Sequence, residues 1–265
     1  MSPTNFHRVP PACVLWNFRK ERVIEQILSL NADVICLQEI DHYEDFFKPL
    51  FTNLGYSCLF FAKNDSPCLK MPGNNGPDGV TLFYRISRLN CLEYRMKYLA
   101  NVEQSESNQP VLVCMLADKI SSQNVCVAVT HFKAKKGFEE LRIAQARDIL
   151  KIVEKIRQDI DPKSSVLICG DFNGEPTEGF YPIMEDVFQS AYKNAMTEEV
   201  PFTTWKIRQG VDVKHTIDYI WYLPDKMDVV SYLATPAEAD VPEERFPSFS
   251  NPSDHLAICC DFSFK

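Results

Sequence analysis

Several absences narrow what this sequence can be. It carries ten cysteines but no CxxC pair, which argues against a structural zinc site. No stretch is long and apolar enough to cross a bilayer, so no membrane span is expected. Met1 to Pro11 has neither the apolar core of a signal peptide nor the repeated arginines of a transit peptide, although a longer parent can carry a targeting segment upstream. Positive charge is not in excess. The net charge of −8 argues against an extended basic track for a long nucleic acid and leaves room for a local cationic pocket. Internal repeats, low-complexity tracts and linkers are missing too, so one domain over residues 1–265 is expected.

What is present is a large supply of core. Hydrophobic residues make up 45% of the chain and aromatic residues 12%. Cys36, Cys114, Cys126 and Cys169 each sit inside an apolar, strand-like run. Buried free thiols fit that placement better than a disulfide framework, and they fit a reducing, cytoplasmic compartment.

The strongest helix signal runs from Arg19 to Leu30, with Val23, Ile24, Ile27 and Leu28 on one face. Val34 to Leu37 follows as a strand, and Phe138 to Ile160 reads as a second, longer helix. Short β-branched and aromatic runs recur at 80–84, 111–116, 125–129, 166–169, 217–222 and 256–260. Strands interspersed with few helices predict an α/β or α+β fold, with two sheets packed face to face and helices outside. The loop from Pro67 to Gly79 carries dense turn signals, and Ala234 to Ser253 reads as an irregular surface excursion.

The polar clusters share one placement. Gln38-Glu39, Thr130-His131 and Gly170-Asp171-Phe172-Asn173 each follow a strand. Asp218 opens a strand, and Ser253-Asp254-His255 precedes one. Each has an ordinary alternative. Glu39 can cap the next segment, Asp171 and Asn173 can be turn formers, and His255 can be a satisfied core histidine. Their common position at strand edges favours convergence on one rim. There they would suit metal-assisted phosphate chemistry. Glu39 offers a hard oxygen ligand for Mg²⁺, and Asp171 can act as a base for water. Asn173 can donate to a phosphate oxygen, and Asp218 can set a histidine tautomer. His255 and His131 can stabilise charge on phosphoryl oxygens.

LeuGlnGlu (37–39), ThrHis (130–131), GlyAspPheAsn (170–173), ThrIleAspTyrIle (216–220) and SerAspHis (253–255) appear in an order that resembles the endonuclease/exonuclease/phosphatase superfamily. The resemblance implies a four-layer α/β sandwich, with two packed mixed β-sheets flanked by helices. It implies a magnesium ligand at Glu39 and catalytic groups at Asp171, Asn173, Asp218, His255 and His131. Longer runs, among them SerProCysLeu (66–69), AsnAsnGlyProAspGly (74–79) and ThrThrTrpLysIleArg (203–208), are similar to its deadenylase-like branch. That branch implies Mg²⁺-dependent removal of the 2′-phosphate from NADP⁺ and NADPH, with poly(A) 3′ exonuclease action on RNA as the alternative. It places basic substrate contacts at Lys63, Lys133, Arg142 and Arg208, and it admits a mitochondrial location if a targeting segment lies upstream. The roles of Asn75, Asp78 and Trp205 stay open.

The superfamily opens with a core strand ending in a metal-site asparagine, and this chain is expected to start just after that strand. Trp16 then falls beside the first helix, with Asn17 a helix-start residue rather than a ligand. A catalytically weak binding module is the reading that follows if the strand is missing.

Overall fold

The computed structural model describes residue 6, residues 8–71, residue 74 and residues 76–265; Asn75 lies outside the described residues. Helix α1 (Trp16–Ser29) begins three residues before the expected start. Its Ile24 is buried, and Val23 and Ile27 pack beside it, whereas Leu28 is exposed. Asn17 sits in the first turn of this helix and is exposed.

Strand β1 (Val34–Ile40) and its neighbours β2 (Tyr56–Ala62) and β3 (Gly79–Arg85) form a three-stranded sheet in the order β1-β3-β2, with both pairings antiparallel. A mixed sheet was expected here, and the difference is simple. Each pair runs antiparallel, so neither needs the parallel crossover that mixing requires. Among the described residues β1 has no strand partner on its other edge. The second sheet is mixed. It holds β4 (Leu89–Ala100), β5 (Glu106–Asp118), β6 (Asn124–His131), β7 (Ser165–Asp171), β8 (Gln189–Ser190) and β11 (Asp218–Tyr222), in the order β4-β5-β6-β7-β11-β8. Only β6 and β7 pair in parallel. They are joined by α3 (Glu139–Ile160), the crossover that parallel strands need.

The layering follows from side-chain alternation. Val111, Val113 and Met115 of β5 point into one core with Ile149, Val153 and Ile156 of α3. Leu112, Cys114 and Leu116 point the other way, onto Val80, Leu82 and Tyr84 of β3. The far face of the three-stranded sheet is covered by α1 and by α2 (Lys48–Asn53). Two helices, α4 (Phe180–Glu185) and α5 (Ala191–Met196), close the β8 end. Two further pairs complete the chain: the hairpin β9 (Thr204–Arg208) with β10 (Val211–His215), and β12 (Met227–Tyr232) with β13 (Cys260–Phe264).

The run at 256–260 was expected to be a strand, but the strand starts only at Cys260. Backbone groups in this run are taken elsewhere. The Leu256 amide donates to the Thr203 carbonyl at 2.7 Å, and the Cys259 amide donates to the Tyr192 hydroxyl at 3.0 Å. All ten cysteines are free thiols, and no helix among the described residues is long and apolar enough to cross a membrane.

Candidate active site

Three neighbouring strands of the mixed sheet set one row of functional side chains. His131 pairs with Asp171 across β6 and β7, and Asp171 pairs with Asp218 across β7 and β11. The register alone therefore places a histidine and two carboxylates side by side at one rim. Beneath them the residues that follow anchor the row. Phe132 and Phe172 are buried with centroids 4.5 Å apart, and Phe172 also packs on Phe180, Tyr219 and Trp221.

His255 reaches the row from outside the sheet. It is held by a bridge to Thr204, and its Nδ1–H donates to Asp218 Oδ2 at 2.9 Å. Burial opposes its charge, but Asp218 and then Asp171 outweigh it and push its pKa up to about 10, so it is a cation at neutral pH. Asp218 is fixed in turn by the Thr203 hydroxyl, which donates to Oδ2 at 2.5 Å. The same hydroxyl oxygen accepts from the Ile217 and Asp218 amides.

Asp171 is buried, and its pKa is pushed up to about 7, first by burial and then by Asp218. Its Oδ1 accepts the Asn173 amide at 2.7 Å. Asn173 adopts a left-handed φ of 51°, and its side-chain Nδ2 donates to the Phe132 carbonyl at 3.0 Å. His131 is also buried; its Nε2 lies 3.6 Å from Asp171 Oδ2, and its Nδ1 has no hydrogen-bond partner among the described residues. Burial pushes its pKa down to about 4, with Lys63 and His255 adding to the fall against Glu39, so it is neutral. Glu39 comes from the other sheet. It sits in a bulge of β1 between Leu37 and Ile40, with φ 55°. Its charge acts on both His131 and Asp171.

The ligand atoms of Asp171, Asp218 and His255 lie within 4.8 Å of one another. Two carboxylates and an imidazole so placed can hold a divalent cation, and carboxylate oxygens suit a hard one. Glu39, the expected magnesium ligand, is not a member of this cluster; it acts on the row through its charge.

The expected basic residues separate into three situations. Lys63 is near the row: its Nζ pairs with Asp78 Oδ2 at 2.5 Å, Asp78 also accepts from the Ser66 hydroxyl, and the lysine's charge reaches His131. Lys133 and Arg208 lie at the rim. Lys133 Nζ stands 4.9 Å from the Phe138 ring centroid. Arg208 is half exposed, pairs with Asp254 at 3.2 Å, and lies over the Phe6 ring. Arg142 is 2% exposed and bound to its own chain through Glu178 and two backbone carbonyls.

Sequence reasoning passed over other members of the site. Lys206 Nζ pairs with the buried Asp254 at 2.8 Å and lies 3.5 Å from His255 Nε2. Its spacing of two from Arg208 on one strand was an available signal. Arg19 donates from Nε to the Pro252 carbonyl at 2.6 Å and feels Asp254, Asp41 and Glu39. Thr203 opens the run ThrThrTrpLysIleArg (203–208), but nothing in that run signalled a hydroxyl contact with Asp218. Trp205, left open, is a structural ring: Arg245 and Lys214 stack on it, and its indole N–H donates to Asp212.

The comparisons with known proteins give the family and the fold. The model of the Endonuclease/Exonuclease/phosphatase family matches residues 14–255. Human nocturnin is 41% identical over 98% of this chain, which spans 61% of that protein's length. Nocturnin of Xenopus laevis is also 41% identical, with 98% of this chain and 68% of the relative covered. The structure of the human nocturnin catalytic domain with bound sulfate anion superposes with a TM-score of 0.83 at 38% identity, covering 98% of this chain and 93% of that one. On this likeness in sequence and in fold, the chain is homologous to nocturnin and belongs to the endonuclease/exonuclease/phosphatase family.

Proposed function

We propose that this chain is a Mg²⁺-dependent phosphatase that removes the 2′-phosphate from NADP⁺ and NADPH. The observation that carries the reading is the row His131, Asp171, Asp218 and His255, with Lys63 and Lys206 beside it, on a protein of net charge −8. An acidic protein that gathers its cations around a buried carboxylate row is suited to a small polyanion more than to a long strand. The sulfate bound in the human nocturnin structure, an anion with the shape of phosphate, supports the same reading.

In this mechanism Asp171, with a pKa near neutrality, takes a proton from the attacking water as the water oxygen bonds to phosphorus and the bond from phosphorus to the ribose 2′-oxygen breaks, and that proton passes on through solvent to the leaving 2′-oxygen. Asn173 orients that water or a phosphoryl oxygen. Cationic His255, oriented by Asp218, donates to a phosphoryl oxygen as charge builds, and neutral His131 adds a hydrogen bond. Magnesium held by Glu39 with the row's carboxylates would supply Lewis-acid stabilisation of the phosphoryl oxygen. Lys63, Lys133 and Arg208 are assigned to the remaining phosphates.

The test is direct. Protein with Mg²⁺ is given NADPH or a short oligo(A), with Glu39→Ala as control. Phosphate release from NADPH alone, lost in the control, is expected. A shortening oligo(A) ladder without phosphate release from NADPH overturns the proposal in favour of a 3′ exonuclease. Turnover of neither substrate by a folded protein would leave a binding module.

A further inference from the structure

Arg142 sits on α3, away from the row, and is buried to 2% exposure. Its nearest partners belong to two different loops; Glu139, on its own helix, lies farther off, at 3.6 Å from Nη2. Nε donates to Glu178 Oε2 and Nη2 lies 2.8 Å from the same oxygen. Nη1 donates to the carbonyls of Lys133 and Lys135, each at 3.0 Å. The guanidinium is thus spent on its own chain, and little of it is left for a ligand. A buried arginine needs partners, but these are selective ones. The first loop follows β6 and carries Lys133, Lys135 and Lys136. The second follows β7 and runs from Asn173 to Glu178.

The two loops hold little else in common. The Lys133 amide donates to Gln145 Oε1 at 3.0 Å, also on α3, and Asn173 Nδ2 reaches the Phe132 carbonyl. Lys135 has a left-handed φ of 85°, a conformation that costs a non-glycine residue and needs support from its surroundings, whereas Gly137 takes its φ of 89° freely. Lys135 and Lys136 are exposed and Lys133 partly so. The result is a loop of three cations whose backbone is pinned from below, beside the histidine and carboxylates of the row.

We propose that Arg142 is a positioning residue that yokes the basic loop Lys133–Lys136 to the Asn173–Glu178 loop, and so sets how firmly the site holds a substrate carrying several phosphates. This rests on the proposed phosphatase function. It separates two tasks: the row acts on one phosphate, and the yoked loop grips the others. A flat, five-donor fork serves two carbonyls and a carboxylate at once, and a lysine has too few directed donors to do so.

Kinetics of the full chain with Mg²⁺ on NADPH and on 2′-AMP, which has a single phosphate, test this. Arg142→Gln is expected to raise KM for NADPH about tenfold, with a much smaller rise for 2′-AMP and a smaller change in kcat. Arg142→Lys should recover part of the loss, and Glu178→Gln should reproduce a weaker form of it. Equal KM changes for both substrates, or a fall in kcat with KM unmoved, overturn the proposal. Amide hydrogen exchange gives a readout that needs no turnover, and so separates this inference from the phosphatase reading. Arg142→Gln must speed exchange in both loops together and not along α3. If that variant does not fold, Glu178→Gln decides by the same two measurements. Unchanged exchange in either loop refutes the yoke.

Discussion

Asp171 and Asp218 face each other across two strands, and like charges so placed destabilise a sheet. Replacing one of them should therefore stabilise the fold while removing the activity. Asp171→Asn is the cleaner choice, because the amide oxygen can still accept the Asn173 N–H that now lies 2.7 Å away. The magnitude follows from linkage. A carboxyl raised from 3.8 to about 7 carries about 4 kcal/mol of penalty when ionised in the fold. The attraction of the His255 cation is already contained in that value, and because Asp171 titrates together with Asp218 the figure is an upper bound. A net gain of about 1–2 kcal/mol is reasonable, or roughly 2–8 °C in melting temperature for a chain of this size.

The pH dependence fixes the sign. A group whose folded pKa is raised favours the fold below its unfolded pKa and loses that advantage as pH rises through the folded value. For Asp171 the window runs from 3.8 to about 7. The variant's gain should be full above pH 7, shrink through the window, and vanish below pH 3.8. Thermal unfolding followed by circular dichroism, in EDTA at pH 8, 6 and 4, measures it. Added Mg²⁺ should then raise the wild-type melting temperature more than the variant's. A variant that melts below wild type at pH 8, or gains as much at pH 4 as at pH 8, would refute the reasoning.

Thr203→Val removes one donor to Asp218 and leaves the Ile217 and Asp218 amides without their acceptor; a loss of about 2–3 kcal/mol by urea unfolding is expected, with lower activity. Lys206→Met leaves Asp254 buried with Arg208 at 3.2 Å as its remaining direct cation. The expected loss is about 3–5 kcal/mol at pH 7. Asp254 is held far below the usual carboxylate range by Lys206, His255 and Arg208 against its burial, so this loss should fade as pH falls through that range. Phe172→Ala empties the aromatic cluster under the row and should lower stability by about 3–5 kcal/mol. Glu39→Gly should melt above Glu39→Ala by about 1 kcal/mol, since φ 55° suits glycine and strains alanine.

Much of this was legible in the sequence for a physical reason. Strands buried on both faces read as continuous apolar runs, and 111–116 and 125–129 proved to be such strands. Helix α3 announced itself by its period. The edge strand β4 did not, because its run LeuGluTyrArgMetLys is exposed on one side and broken by a register shift after Cys91. At the site, residues at strand ends were legible because register carries them: His131, Asp171 and Asp218 are consecutive members of one row. Residues whose role depends on burial were not. Arg142 reads as a surface cation on any helix, and only the fold reveals that its guanidinium is enclosed. Lys206 alternates with Arg208, but the buried Asp254 that gives it meaning comes from a segment 48 residues away.

Glu39 illustrates why the backbone at such a site departs from regular geometry. Strict alternation along β1 would put Ile35, Leu37 and Glu39 on one face and Ile40 on the other. Ile35 and Leu37 do face the helix-covered core, but Ile40 joins them there and Glu39 does not. The bulge between Leu37 and Ile40 exchanges the two. Without it a carboxylate would be driven among Ile24, Tyr43 and Phe47, at a cost of several kcal/mol, and an isoleucine would be turned toward the opposite face. With it the price is one non-glycine residue at positive φ, about 1–2 kcal/mol. The inequality favours the bulge whether or not the site is ever used. It also leaves Glu39 exposed at the rim, with its charge acting on His131 and Asp171 of the other sheet. The strained turn is therefore what lets one sheet bring a carboxylate charge to a row built by the other, and the hydrophobic face of β1 is what holds it in place.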